Sequence, residues 1–408
     1  MQYRIDKKTG NKLSVLGFGC MRFPHKLGMT DMHKTEELVM SAIEKGVNYF
    51  DTAWLYPGNE EALGAVLSRN NARNKIYIAT KLPVMLLNPS RDNKIDFDKY
   101  LNQSLERLKT DYIDYYLMHM LTDMEQWKKL KDAGIESWLA QKKMTGQIKR
   151  VGFSFHGSAS EYLKILGAYD WELSLIQYNY FDENYQAGVM GLRAAAAKMP
   201  VVIMEPLLGG KLATGLPKDA VKIFKNADEN LTPAGWALNW LWNQKEVTTI
   251  ISGMNAKEQL EENIALAEKS STGMLDDTKL AVYKSALDVI KRSCKVRCTG
   301  CNYCMPCPAG VNIPGSFSAY NAVYSMGYYE GMKQYAMSTG MTQAKSSSPC
   351  LCVKCGKCEQ HCPQSIKITE ELDIVKKKME PPVIRFIGFC ARAVVGNKRK
   401  KRFIDDAV

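Results

Sequence analysis

Ahead of Lys291 the chain holds a single cysteine, Cys20, so no disulfide can form within that long stretch. No run approaches the roughly 20 uninterrupted apolar residues that a membrane-spanning helix requires, and no transmembrane segment is expected. The opening MQYRIDKKTGNKL has no apolar run that would serve as a secretory leader. These absences predict a cytoplasmic chain, where thiols stay reduced. GxGxxG is missing as well. A doubly wound dinucleotide-binding sheet ordinarily carries a Gly-rich turn after its first strand, and the first apolar run here continues instead as LGFGCMRFP.

What is present is globular in composition. Of 408 residues, 46% are hydrophobic and 24% charged, enough to bury a sizeable core. The other eleven cysteines all follow Lys291. That step in composition predicts a first domain over 1–290, a second over 291–380 and a basic tail over 381–408, which contains NKRKKR. The formal charge of +12 counts every thiol as neutral. Metal-bound cysteines are thiolates, so the excess is read as balancing ligand charge and cofactor phosphates, with no nucleic-acid partner expected.

Along the first 290 residues, short apolar runs alternate with helical patterns. The runs are Val15–Met21, Val47–Ala53, Ile76–Lys81, Ile113–His119, Arg150–Phe155, Leu173–Tyr178, Val201–Pro206 and Thr248–Gly253. Their continuous apolarity suits parallel strands buried on both faces. Helical patterns lie over Thr35–Gly46 (Thr as N-cap, Gly as stop), Asp98–Thr110, Ser160–Tyr169, Thr232–Gln244 and Asn255–Lys269. Eight such units over about 250 residues predict an α/β chain folded as a (β/α)8 barrel.

Chemistry in such a barrel sits at the C-terminal ends of the strands. Asp51, Tyr56, Lys81 and His119 fall there, on three consecutive strands. Taken singly, each has a bland role: a rim aromatic, a structural ion pair, a strand-end histidine. Together they read as a proton donor aimed at a carbonyl. A phenol with a pKa near 10 is a poor acid at neutrality; a lysine cation beside it is expected to lower that value, with an aspartate holding the lysine. A histidine can hold the carbonyl oxygen.

This part of the sequence resembles the aldo–keto reductase family. The resemblance is carried by GFGCMRFP, FDTAWLY with Asp51 and Tyr56, IATK with Lys81, LMH with His119, GFSFHG, IQYN, EPLLGGKL and ISGMNAKEQLEEN, and it covers about residues 1–270. It implies a nicotinamide dinucleotide bound extended, Tyr56 as acid/base, Asp51 and Lys81 as its tuners and His119 as substrate orienter. It also implies Ser154 and Gln177 at the carboxamide, and Ser252, Gly253, Met254, Gln259 and Asn263 at the adenosine phosphates and adenine. Two positions depart from the family: Ser154 is followed by Phe155-His156 where Ser-Asn is usual, and Met204 replaces an aromatic. Lys257 is the one cation near the phosphate segment, and between NADP(H) and NAD(H) the former is preferred.

The cysteines after Lys291 have a spacing of their own. Cys352, Cys355, Cys358 and Cys362 form C-x2-C-x2-C-x3-C-P, the bacterial ferredoxin run whose fourth cysteine serves the other cluster. Cys298, Cys301, Cys304 and Cys307 form a second run, also ending on proline. Zinc is the rival, but three ligands from one tight loop fit a tetrahedral ion poorly. Two [4Fe–4S] clusters are expected in a ferredoxin-like dicluster domain. One would take Cys298, Cys301, Cys304 and Cys362; the other Cys352, Cys355, Cys358 and Cys307. Cys294, Cys350 and Cys390 are left over, and the Tyr- and Met-rich stretch between the runs reads as helical packing.

Three functions follow. The first is an NAD(P)H-dependent oxidoreductase acting on a small carbonyl or alcohol, its clusters structural or redox-active. The second is an electron-transfer enzyme fed by a ferredoxin or another redox protein through a flavin with no sequence signature. The third is a non-catalytic iron–sulfur sensor or scaffold, which the Asp51, Tyr56, Lys81 and His119 set argues against.

Overall fold

The computed structural model describes residues 1–87, 95–184, 186–293, 295–296, 298, 304–325, 327–341, 346–360, 362 and 366–384. Cys294, Cys301 and Cys390, the loop NPSRDN after the third strand and most of the basic tail lie outside the described residues. The chain divides into two compact units. One comprises Met1–Ala213 and Glu229–Leu280; the other comprises Thr214–Asp228 and the chain from Ala281 onward.

The first unit is a closed barrel of eight parallel strands. They are β1 (Leu16–Gly19), β2 (Tyr49–Asp51), β3 (Tyr77–Leu82), β4 (Ile113–Leu121), β5 (Ile148–Phe155), β6 (Leu173–Gln177), β7 (Val201–Met204) and β8 (Thr249–Ser252). All eight coincide with the apolar runs. The ring closes through β8 on β1, with Ser252 paired to Phe18. Period-two alternation decides what fills the barrel. Tyr49, Ala79, Tyr115, Leu117, Leu173, Leu175 and Val202 face inward as one core cluster. Their strand neighbours, such as Phe50, Ile78, Tyr116 and Ile176, pack outward against the helices. An N-terminal hairpin, Tyr3–Ile5 with Lys12–Ser14, supplies Leu13 to the inner cluster and Asp6, which accepts a 2.7 Å hydrogen bond from the Tyr115 hydroxyl.

Helix caps follow local chemistry with one correction. The first barrel helix runs Met32–Glu44, capped by Asp31, whose side chain accepts from the Lys34 amide. Thr35 lies inside the helix, buried, rather than at its N-cap. Asp31 wins because a carboxylate caps as well as a threonine hydroxyl and also favours the positive end of the helix dipole. Thr232 caps Pro233–Trp242 as expected. Gly64, in the helix Asn59–Arg69, lies against the helix Phe97–Leu108. A Cβ there would stand 2.2 Å from the Arg107 carbonyl oxygen. Gly64→Ala is therefore expected to destabilise the barrel by about 1–3 kcal/mol, despite a helix-propensity gain of about 1 kcal/mol. All seven tryptophans lie between Trp54 and Trp242, so a urea titration followed by tryptophan fluorescence reads this unit alone.

In the second unit, the helices Ile313–Ser325 and Tyr328–Ser338 pack with Ile368–Met379 around Phe317, Tyr320, Tyr335, Leu372 and Val375. Cys298, Cys304, Cys307, Cys352, Cys358 and Cys362 rest on the same core. The helix Lys218–Ala227 belongs to this unit, with Phe224 meeting Tyr283 edge-on at 6.0 Å. No helix among the described residues is long and apolar enough to cross a membrane.

Candidate active site

The inward parity of the barrel strands carries on to their C-terminal ends. Asp51 stands two residues beyond inward-facing Tyr49, and Lys81 two beyond Ala79. Ser154 pairs with Leu175 in the neighbouring strand, and Gln177 pairs with Met204. His119 stands two residues beyond inward-facing Leu117, and a fault in the ladder follows it. The β4–β5 register shifts between Met118 and Leu121, and Met120 has φ 59°. Such a bulge bends the strand locally. The Ser154 hydroxyl braces it, accepting from the Met120 amide at 2.8 Å.

Lys81 and Asp51 are almost fully buried, and the ammonium donates to Asp51 Oδ1 at 2.6 Å and to the Thr52 carbonyl at 2.7 Å. The same nitrogen lies 5.3 Å from the centre of the Tyr56 ring, and the Tyr56 and His119 rings meet edge-on at 6.0 Å. Asp51 Oδ2 and His119 Nδ1 are buried and have no hydrogen-bond partner among the described residues. Unsatisfied buried polar atoms are costly, and these two point to a group that binds here.

Electrostatics set the resting protonation states. Burial works against the Lys81 ammonium, but Asp51 and then Tyr56 outweigh it and hold its pKa above the ordinary value. The Tyr56 phenol is pushed up, first by burial, with Lys81 opposing and Asp51, Cys20 and Glu205 adding to the rise. The expectation that Lys81 would bring the phenol below its ordinary value is thereby corrected: burial exceeds the pull of the cation, so Tyr56 rests as the protonated acid. Burial and then Lys81 lower His119 to about 3 and His156 to about 4, leaving both imidazoles neutral.

The remaining residues of the expected site fall into two groups. At β6, Gln177 donates to Asp182 Oδ2 at 3.0 Å and accepts from Gln186 at 3.2 Å. Asp182 is lifted to about 6, chiefly by burial. Nothing in the sequence pointed to Asp182 or Gln186, because their place depends on how the loop after β6 folds back. At β8, Ser252 accepts from Asn263 at 3.3 Å, Met254 is buried, and Gln259 accepts from the Asn255 amide at 3.1 Å. These residues surround the N-terminus of the helix Lys257–Lys269. Gly253 lies under Arg22: a Cβ there would meet the Arg22 side chain at 3.1 Å.

In the second unit, the thiol of Cys358 is pushed up by burial first, then by Glu359, with Cys352 and Cys307 adding to the rise. Cys307, Cys352 and Cys358 all border the core of this unit. Cys350 is not spare: its thiol donates to Glu380 at 2.8 Å, beside Tyr335 and Ser348, which donate to the same carboxylate. Among the described residues, which include Cys307, Cys352, Cys355 and Cys358, no three Cys, His, Asp or Glu side chains stand at metal-binding distances.

The C-terminal mouth of the eight-stranded parallel barrel thus brings together the buried Lys81–Asp51 pair, Tyr56 and His119. The family model of the aldo/keto reductase family matches residues 15–276, and that of a 4Fe-4S dicluster domain matches residues 297–366. The chain belongs to the aldo/keto reductase family and is an NAD(P)H-dependent oxidoreductase. It is 29% identical over 308 residues to the uncharacterized oxidoreductase YqkF of Bacillus subtilis (strain 168), covering 67% of this chain and 95% of that protein. It is 26% identical over 314 residues to the NADP(+) aldo-keto reductase yakc of Schizosaccharomyces pombe, covering 67% and 90%. The aldo-keto reductase AKR11C1 of Bacillus halodurans, in its holo form, superposes with a TM-score of 0.56 at 24% identity, over 70% of this chain and 96% of that one.

Proposed function

We propose that the barrel reduces an aldehyde or ketone with NADP(H), and oxidises the corresponding alcohol in reverse, with Tyr56 as general acid and base. The observation that carries this reading is the Tyr56 ring held between the buried Lys81 ammonium and the edge of neutral His119. When bound, the reduced nicotinamide supplies the hydride. Tyr56, protonated at rest, delivers its proton to the carbonyl oxygen. Lys81 stabilises the phenolate that remains, and Asp51 keeps Lys81 charged and aimed. His119, neutral because burial and Lys81 forbid a second cation, offers a ring N–H to the same oxygen.

The residues fit a dinucleotide. Ser252, Gly253, Met254, Gln259 and Asn263 would hold the adenosine end at a helix N-terminus, where anions are favoured, with Lys257 and Arg22 as nearby cations. Ser154 and Gln177 would take the carboxamide, with the nicotinamide amide replacing Asp182 or Gln186 on Gln177. The NADP(+) in the name of the fission-yeast relative supports NADP(H). The second unit would hold two [4Fe–4S] clusters on the crossed cysteine sets, in a reducing compartment such as the cytosol; soft thiolates on one shared core suit iron–sulfur.

The pH dependence tests the assignment of Tyr56. Its pKa is raised, so the acid form persists through neutrality. Carbonyl reduction is expected to stay flat from about pH 6.5 to 9 and to fall only as the phenol ionises. Alcohol oxidation needs phenolate and is expected to rise about tenfold per pH unit over the same range. Initial rates in both directions check this. A reduction rate that falls tenfold between pH 7 and 8 contradicts it.

A further inference from the structure

The turn that carries Tyr56 leaves β2 at Asp51 and enters the helix Asn59–Arg69, and residues on both sides of Tyr56 are tied to the helix Phe97–Leu108. Ahead of Tyr56 stands Trp54. Its indole N–H donates to Gln103 Oε1 at 2.9 Å, and its ring meets Tyr100 edge-on at 5.1 Å. Beyond Tyr56 stands Glu60, fully buried. One Glu60 oxygen accepts from the Thr80 hydroxyl at 2.6 Å, and Thr80 immediately precedes Lys81 on β3. The other accepts from Arg107 at 3.3 Å. The same guanidinium lies over the Trp54 ring, 5.0 Å from its centre, and reaches Glu61 at 3.1 Å. Arg107 thus grips the turn on both sides of Tyr56.

We propose that Arg107 is a positioning residue for the barrel reaction: by clamping Trp54 and Glu60 it fixes the Tyr56 hydroxyl relative to Lys81. The inference rests on the reading of Tyr56 as proton donor given above. Within the turn, the Tyr56 amide donates to the Ala53 carbonyl at 2.9 Å and the Asn59 amide to the Tyr56 carbonyl at 3.2 Å. These bonds give the turn its shape without fastening it to the barrel. The Thr52 amide fastens its start, donating to the Ala79 carbonyl at 2.8 Å, and Trp54 and Glu60 fasten the rest by side chain. A proton donor displaced by about 1 Å can lose about a hundredfold in rate, so a contact that never reaches the substrate can govern kcat. Arginine suits the task, because its flat face lies over the indole while its N–H groups bond the two carboxylates. Lysine is a point charge and cannot do both. The plainer reading is that Arg107 only neutralises the buried Glu60 carboxylate. The two readings differ in whether the effect of Arg107 passes through Tyr56.

The test is a double-mutant cycle on the full-length protein, with NADPH and 4-nitrobenzaldehyde as the carbonyl probe. Arg107→Lys is expected to lower kcat by about 10- to 100-fold. KM for the aldehyde and the calorimetric Kd for NADPH are expected to change by less than about twofold. Placed in Tyr56→Phe, the same substitution is expected to change the residual rate by less than about threefold, since the hydroxyl it would position is gone. Trp54→Leu should reproduce the loss. Trp54→Phe keeps a ring under the guanidinium and against Tyr100, and should recover most of the rate. Urea titrations followed by tryptophan fluorescence show which variants are folded under assay conditions; if Arg107→Lys is not, the Trp54 variants decide. Wild-type kcat in both Arg107→Lys and Trp54→Leu overturns the positioning role. So do equal fold losses with and without the Tyr56 hydroxyl, which would leave Arg107 as a structural partner of Glu60 alone. A Tyr56→Phe rate within about threefold of the wild type overturns instead the assignment of Tyr56 itself.

Discussion

Tyr56→Phe is expected to lower NADPH-dependent aldehyde reduction by about 10²–10⁴-fold, the usual contribution of a positioned proton donor. The substitution keeps the ring, and with it the Lys81 contact at 5.3 Å and the His119 edge at 6.0 Å. Only the hydroxyl goes, so the barrel should keep its stability and its nucleotide affinity. The visible absorbance of the iron–sulfur unit should also persist, since the ligand cysteines lie after Lys291. The loss should therefore appear in kcat and kcat/KM together, as for an interaction made only in the transition state. A variant within threefold of the wild type would remove Tyr56 from the mechanism. Loss of nucleotide binding along with the rate would instead point to the hydroxyl as part of the binding site.

Lys81→Met should have the largest effect on stability. Lys81 and Asp51 are 1% and 2% exposed, and Asp51 Oδ2 has no hydrogen-bond partner among the described residues even with the lysine present. Removing the ammonium leaves a buried carboxylate uncompensated, at a cost of about 3–5 kcal/mol. The double variant Asp51→Asn/Lys81→Met removes both charges and is expected to regain most of that stability while remaining inactive. Urea titrations followed by tryptophan fluorescence compare the three proteins. If Lys81→Met is as stable as the wild type, the pair is not buried in the way the distances indicate.

Much of the barrel was legible because a parallel strand covered on both faces must be continuously apolar. Each of the eight runs became a strand, and the polar residue ending a run became a residue of the mouth. What could not be read depends on neighbours distant in sequence. The bulge that follows His119 is braced by the Ser154 hydroxyl from the next strand. The partners of Gln177 come from a loop with no pattern of its own. Asp31 rather than Thr35 caps the first barrel helix, since both residues are good caps and only the backbone path chooses between them. The acidity of Tyr56 was misjudged for a related reason: the sequence shows the lysine that would lower it, while the burial that raises it appears only in the folded chain. The Cys352–Cys362 run announced its chemistry through spacing alone, and the match of the 4Fe-4S dicluster family model to residues 297–366 agrees with it.

The central claim is direct reduction of a carbonyl at the barrel mouth, with Tyr56 as the proton source. Isotope transfer tests it most directly. With NADPH deuterated at the transferable C4 position, an aldehyde and the anaerobic holoprotein in ordinary water, mass spectrometry of the alcohol should find one deuterium on the carbinol carbon in nearly every molecule. An alcohol without deuterium, its hydrogen drawn from solvent through an exchanging intermediate carrier, would contradict the account.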